Sequence, residues 1–273
     1  MLTQDDFVAT LKTAGVGKGD TLMVQSNLRR LGSVDAPRNK GGILDFYVEG
    51  FRRALGEEGT LVVLTAFEDY ARHGMAFDRQ HSPSLSGALS DHVRQLPGAV
   101  RSRHPVLSIT ALGPQANALC DGPHFEGFGY DSAWGRLHRA NAKIMTLGYA
   151  IAPDGMTFCH YLENLYGVPY QYTKVYDHPV LDDGVPQPGT WTMPVRYLDF
   201  EVENDQSFFK RCLVEAGLAQ IHPVGRGQLL ITDCESMVAH ALQRFAEDRY
   251  MMLIRPPAFR RGEIPFDVKA SAE

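Results

Sequence analysis

The sequence predicts an α/β fold: one compact domain over residues 1–273, with a largely parallel central sheet flanked by helices and an antiparallel insertion. Three observations carry that expectation. Two apolar runs, Thr21-Leu22-Met23-Val24-Gln25 and Leu61-Val62-Val63-Leu64-Thr65, bracket a helical stretch, and strand, helix, strand is the grammar of a parallel sheet. Further apolar strands alternate with helical patterns toward the C-terminus, and a hydrophobic content of 44% is enough for a substantial core. Between them, a Pro- and Gly-rich stretch at residues 168–190 carries turn signals, and residues 192–199 read as antiparallel strand. No repeat, low-complexity tract or clean linker divides the sequence.

The elements follow in order. Residues 1–15 read as an amphipathic helix, with Thr3 ahead of Asp5 and Asp6 as its capping signal and Phe7, Val8 and Leu11 as its apolar side. A turn at residues 17–20 leads into the first strand, which ends in a polar loop at residues 26–32. Gly41-Gly42 opens a helix to Leu55, and residues 56–60 turn the chain into the second strand. Ligands of such sheets bind beyond the carboxyl ends of the strands, so residues 25–30 and 65–69 are expected beside one crevice. Residues 82–96 predict a helix, with Leu85, Leu89 and Val93 at helical spacing and Pro97-Gly98 as its stop. Strands are expected at residues 106–111, 143–149 and 228–232, helices at 204–216 and 235–247, and a last short strand at 251–254.

The bulk chemistry narrows the function classes. The 32 acidic and 27 basic residues are interspersed, with a net charge of -5 and no basic block to follow a phosphate backbone, so nucleic acid is not an expected partner. Cys120, Cys159, Cys212 and Cys234 form no CxxC pair, which suits reduced thiols in a cytoplasm. The N-terminus does not read as a signal peptide, and no run of about 18 apolar residues exists to cross a membrane.

The stretch Asp154-Gly155-Met156-Thr157-Phe158-Cys159-His160-Tyr161-Leu162-Glu163-Asn164 concentrates the chemistry. If Thr157 caps a helix here, His160 sits in its first turn, where the partial positive charge of the helix end favours the neutral, proton-accepting imidazole. Glu163 and Asn164 then share its face, and a carboxylate there can orient the ring or stabilise it once protonated. A capped helix carrying a structural histidine gives the same pattern. A metal site would need a second ligand pair, and no HExxH motif exists; no metal is expected. Cys159 diverges from His160 by about 100° on a helix, which disfavours a nucleophile and base pair.

Several segments together resemble the aminoglycoside 3-N-acetyltransferase family, which is distinct from the widespread GNAT acetyltransferases. They are Val24-Gln25-Ser26-Asn27-Leu28 with Gly32, Gly59 through Thr65, Ser82-Pro83-Ser84 with Gly87, and Arg101-Ser102-Arg103-His104-Pro105 with Ser108 and Gly113. They continue through Asp131 to Leu137, Leu147-Gly148 and Thr157 to Glu163, ending at Pro169-Tyr170. These pieces lie in collinear order over residues 20–172, and the C-terminal third fits more loosely.

The resemblance implies direct acetyl transfer from acetyl-CoA to an amine of an amino-sugar, with His160 as base, Glu163 beside it and Thr65 facing the thioester. It also implies that Ser26, Asn27, Leu28, Arg29, Arg101, Ser102, His104 and Ser108 line the cofactor site. Arg30 and Arg103 are further phosphate candidates. The expected setting is a cytoplasmic enzyme with a small-molecule acceptor, no nucleic acid, no membrane, and a homodimer as an open alternative. Departures sit near the presumed cleft: Gln25-Ser26 where relatives have His-Ser, Leu64 and Ala66 around Thr65 where they have Pro-Thr-Phe, and Ser132-Ala133 where they have Ser-Pro. These favour a biosynthetic amino-sugar over an antibiotic as acceptor. A thiol-dependent hydrolase and a non-catalytic coenzyme A or glycan-binding module remain alternative readings.

Overall fold

The computed structural model describes residues 1–122, 124–200 and 202–258. The N-terminal half runs α1 (Gln4–Thr13), β1 (Thr21–Ser26), a 3-10 turn (Leu28–Leu31), α2 (Lys40–Leu55), β2 (Thr60–Leu64), α3 (Asp69–His73), β3 (Phe77–Asp78), α4 (Ala88–Arg94), β4 (Ala99–Arg101) and β5 (Ile109–Leu112). Next come α5 (Ala116–Cys120), α6 (Ala133–Arg139), β6 (Lys143–Leu147), α7 (Phe158–Tyr166), β7 (Gln171–Tyr176), β8 (Val180–Asp182), β9 (Val185–Pro186) and β10 (Trp191–Arg196). The chain closes with α8 (Ser207–Glu215), β11 (Ala219–Val224), β12 (Gly227–Asp233) and α9 (Cys234–Glu247).

A seven-stranded sheet in the order β11-β12-β6-β1-β2-β5-β4 organises the molecule. Its centre is parallel, β1 pairing with β6 on one side and β2 on the other, while both flanks are antiparallel. The central strands read as unbroken apolar runs because helices cover both faces. Alternate side chains then point to opposite layers: Leu22 and Val24 pack with Phe7, Phe51 and Leu55 under α1 and α2, and Met23 packs with Trp134, Phe158 and Leu162 on the other face. The expected α/β architecture with an antiparallel insertion is present, the insertion being the β7–β10 pair and the β8–β9 pair, which β3 joins in parallel from outside it.

Local hydrogen bonds explain where the structure departs from the expected boundaries. The helix expected at 82–96 starts only at Ala88, because Ser84 donates its backbone N–H to Asp91 and Leu85 donates to the Ala66 carbonyl, holding the preceding residues as loop. The strand expected from 106 starts at Ile109: the Leu107 N–H goes to the His104 ring and its carbonyl accepts from the Trp134 indole, leaving neither for a ladder. Residues 251–254 are not a strand; turn bonds to Asp248 and Tyr250 leave a single bridge, Asn204 with Leu253. Among the described residues, no helix is long and apolar enough to cross a membrane.

Candidate active site

Parallel pairing of β6, β1 and β2 brings Ser26, Leu64 and Leu147 to one edge of the sheet. The loop leaving β1 lies over the end of β6, where Asn27 donates to the Leu147 carbonyl at 2.8 Å. Gly148 follows with a φ of 94°, and a Cβ there would collide with the Asn27 carbonyl, so only glycine allows this approach. Asn27 and Arg29 are exposed, and Arg29 meets no carboxylate among the described residues.

The N-terminus of α7 is fastened to the same edge by Gln25. The Gln25 Nε2 donates to the Thr157 hydroxyl at 2.9 Å, and its Oε1 accepts the Thr157 backbone N–H at 2.7 Å. Thr157 itself has helical dihedrals, and its side chain makes no capping bond, contrary to the expected N-cap role. Phe158, Cys159, Tyr161 and Leu162 bury the inner face of α7, each large apolar side chain contributing about 1.5–3 kcal/mol. Gly167, left-handed at φ 78°, ends the helix and sends the chain back across its own side.

That return completes a polar cluster. His160 occupies the first turn of α7 with its side chain 31% exposed, and its Nδ1 lies 2.6 Å from Oε2 of Glu163, which is fully buried. The Tyr170 hydroxyl donates to Glu163 Oε1 at 2.7 Å, and the Gln171 amide donates to Oε2 at 3.0 Å. An ionised carboxylate only accepts, so a neutral His160 ring bonded to it carries its one proton on Nδ1 and leaves the Nε2 lone pair free. Among the described residues, Nε2 has no hydrogen-bond partner. Burial and the charge of Glu163 push the Tyr170 phenol well up, so it acts as a donor. Tyr170 and Gln171 carry no sequence signal tying them to a carboxylate seven and eight residues earlier; the Gly167 turn is what makes the meeting. Asn164, expected on the His160 face, gives its amide to the Phe128 carbonyl instead.

The second group of expected site residues is packed inside the protein. The Thr65 hydroxyl is fully buried, 3.1 Å from that of Thr110 and 3.3 Å from the Ser108 carbonyl. Arg101, only 4% exposed, donates to the carbonyls of Thr65 and Ser82 and to the Ser108 hydroxyl, with its guanidinium over the Phe77 ring. Burial lowers its pKa to about 9. Ser102 accepts from Ile109 N–H, and Ser108 donates to the Thr65 carbonyl. His104 bonds Leu107 and Thr192, and its burial pushes the imidazole down to about 3. Arg101, Ser102, His104 and Ser108, expected to line a cofactor site, are thus each buried and bonded to the protein's own groups.

Residues 23–246 match the family model of the aminoglycoside 3-N-acetyltransferases. The chain belongs to that family. Aminoglycoside N(3)-acetyltransferase VII of Streptomyces paromomycinus is 30% identical over 244 residues, covering 82% of this chain and 80% of that one. The crystal structure of the aminoglycoside acetyltransferase AAC(3)-IVa apoenzyme superposes with a TM-score of 0.74 at 25% identity, covering 93% of this chain and 92% of the other. AAC-IIIb in its binary complex with CoASH gives a TM-score of 0.74 at 21% identity, with 93% and 99% covered, and so speaks to the fold.

Membership of the aminoglycoside 3-N-acetyltransferases makes this chain an N-acetyltransferase. It also places the thiol-hydrolase alternative. Cys159 has no solvent exposure, and burial pushes its thiol up to about 12, so no thiolate nucleophile is available beside His160. The Gln25 amide fastens Thr157 through both its oxygen and its nitrogen.

Proposed function

We propose that the chain transfers the acetyl group of acetyl-CoA directly to an amine of an aminoglycoside or related amino-sugar, with His160 as the general base. One observation supports this above the others: Glu163 Oε2 lies 2.6 Å from His160 Nδ1, and Nε2, with no hydrogen-bond partner among the described residues, sits in the helix turn that Gln25 fastens to the carboxyl edge of β1. The acceptor reaches the site as a neutral amine, its ammonium proton lost to water. His160 Nε2 takes a second proton from the nitrogen as that nitrogen bonds to the acetyl carbon. The carbon–sulfur bond then breaks, and His160 returns the proton to the departing thiolate. Glu163 stabilises the imidazolium in between.

Residues 26–29 suit the acyl donor, because the exposed Asn27 offers amide groups and the exposed Arg29 offers charge for a phosphate. Acetyl-CoA supplies the activated thioester. Thr65 enters this scheme only if its hydroxyl leaves Ser108 and Thr110 to reach the developing oxyanion.

Thiol release from acetyl-CoA tests the reading. His160→Ala should lower turnover by about 10²- to 10⁴-fold and leave acetyl-CoA affinity near that of the wild type. Wild-type turnover in this variant overturns the base assignment. Sisomicin and gentamicin, bound by the structural neighbours AAC-VIa and AAC(3)-IVa, are the first acceptors to assay. The departures at Gln25, Leu64, Ala66 and Ala133 favour a second reading, a biosynthetic amino-sugar, and the larger specificity constant decides between them.

A further inference from the structure

We infer that Tyr170 and Gln171 are positioning residues that keep Glu163 ionised and thereby lock His160 in the tautomer whose Nε2 can accept a proton. The inference rests on the general-base reading above. Glu163 is fully buried, and among the described residues no Lys or Arg lies within salt-bridge distance of it. A carboxylate in that setting persists as an anion only if donors replace its water. Three do: the His160 ring, the Tyr170 hydroxyl at 2.7 Å and the Gln171 amide at 3.0 Å.

Two of the three come from outside α7, from the residue before β7 and from the first residue of β7. Their position is not incidental to the insertion. Gln171 pairs with Arg196 of β10, and the backbone N–H of Tyr197 donates to the Tyr170 carbonyl at 3.2 Å, so the antiparallel pair itself holds both donors against Glu163. The Tyr170 phenol is pushed up by its burial and by the charge on Glu163, so it cannot become a competing anion.

The consequence for His160 follows from hydrogen-bond chemistry. An ionised Glu163 must receive the Nδ1 proton. Stripped of two donors, the buried carboxyl would take up a proton and offer its own O–H to Nδ1 instead. The imidazole proton would then move to Nε2, the atom that the reaction needs as an acceptor.

Ring nitrogen shifts of histidine in ¹⁵N-labelled protein test this without any acceptor substrate, with His160→Asn assigning the resonance. At pH 8 the wild type should show the Nδ1–H tautomer, and Tyr170→Phe combined with Gln171→Leu should show Nε2–H. Turnover of the double variant should fall on the order of 10- to 100-fold at unchanged KM for acetyl-CoA. The same pair should cause no further loss in a His160→Ala background. If the Nδ1–H tautomer persists in the double variant, or the pair slows both backgrounds equally, the lock is refuted. If His160→Ala alone keeps wild-type turnover, the general-base reading fails while the ring shifts still decide the tautomer. Gln171→Leu alone, at a half-buried position, carries the same readout should the double variant not fold.

Discussion

At the scale of single residues, the most informative side chain is Gln25, which the sequence resemblance singles out as a departure. Gln25 meets Thr157 as both donor and acceptor, and so fixes the first turn of α7, which carries His160, to the carboxyl end of β1. The sequence marks Gln25 only as a departure, since nothing in it says that a residue 132 positions away is its partner. Gln25→Leu should cost about 1 kcal/mol of stability and more in catalysis, because small misplacements of a base lower turnover steeply. The expected result is a fall in kcat of at least about 10-fold with a melting temperature only a few degrees lower. Equal turnover in Gln25→Leu and wild type would reduce Gln25 to a structural tie.

At the scale of elements, the segment from β4 to β5 shows how a motif can be legible while the direction of its side chains is not. Arg101, Ser102, His104 and Ser108 were legible as a group, yet type and order do not say which way a side chain points. Residues 101–108 leave β4, loop and return in β5 against it, so their polar atoms meet one another and the Thr65 carbonyl. Arg101→Met should therefore destabilise the protein by about 2–5 kcal/mol, since it strips buried acceptors of their donor. Arg101→Lys, which keeps the charge, should leave acetyl-CoA affinity within a few-fold by calorimetry. A loss of ten-fold or more in a folded Arg101→Lys protein would return Arg101 to the phosphates. Long periodic elements such as α2, α9 and the central strands were readable because their pattern repeats over several turns or pleats. The five-residue helices α3 and α5 were not, because one turn carries no period.

At the scale of the whole molecule, the parallel centre was legible in the apolar runs of β1 and β2, whereas the antiparallel flanks depend on pairings distant in sequence, such as β12 with β6. That closed, two-sided core has a consequence for acid stability, because it buries imidazoles as neutral rings. Burial pushes His104 down to about 3 and His124 down to about 4, against about 6.5 in an unfolded chain. The unfolded chain therefore binds more protons than the native one between roughly pH 4 and pH 6.5, and stability must rise with pH across that window. Both contributions are complete above about pH 7 and are lost as the pH falls, with each histidine withdrawing about 2 kcal/mol between pH 7 and pH 5. Asp78, Asp91 and Asp205 are shifted down from their ordinary carboxylate values, so their contributions fade only at lower pH and do not cover this range. The melting temperature should drop by roughly 4–8 °C for each histidine over those two pH units. His104→Asn, whose side-chain oxygen can still accept the Leu107 N–H, should melt lower than wild type at pH 7 but lose less on going to pH 5. Parallel declines in the two proteins would show that the neutral His104 ring is not a source of the acid sensitivity.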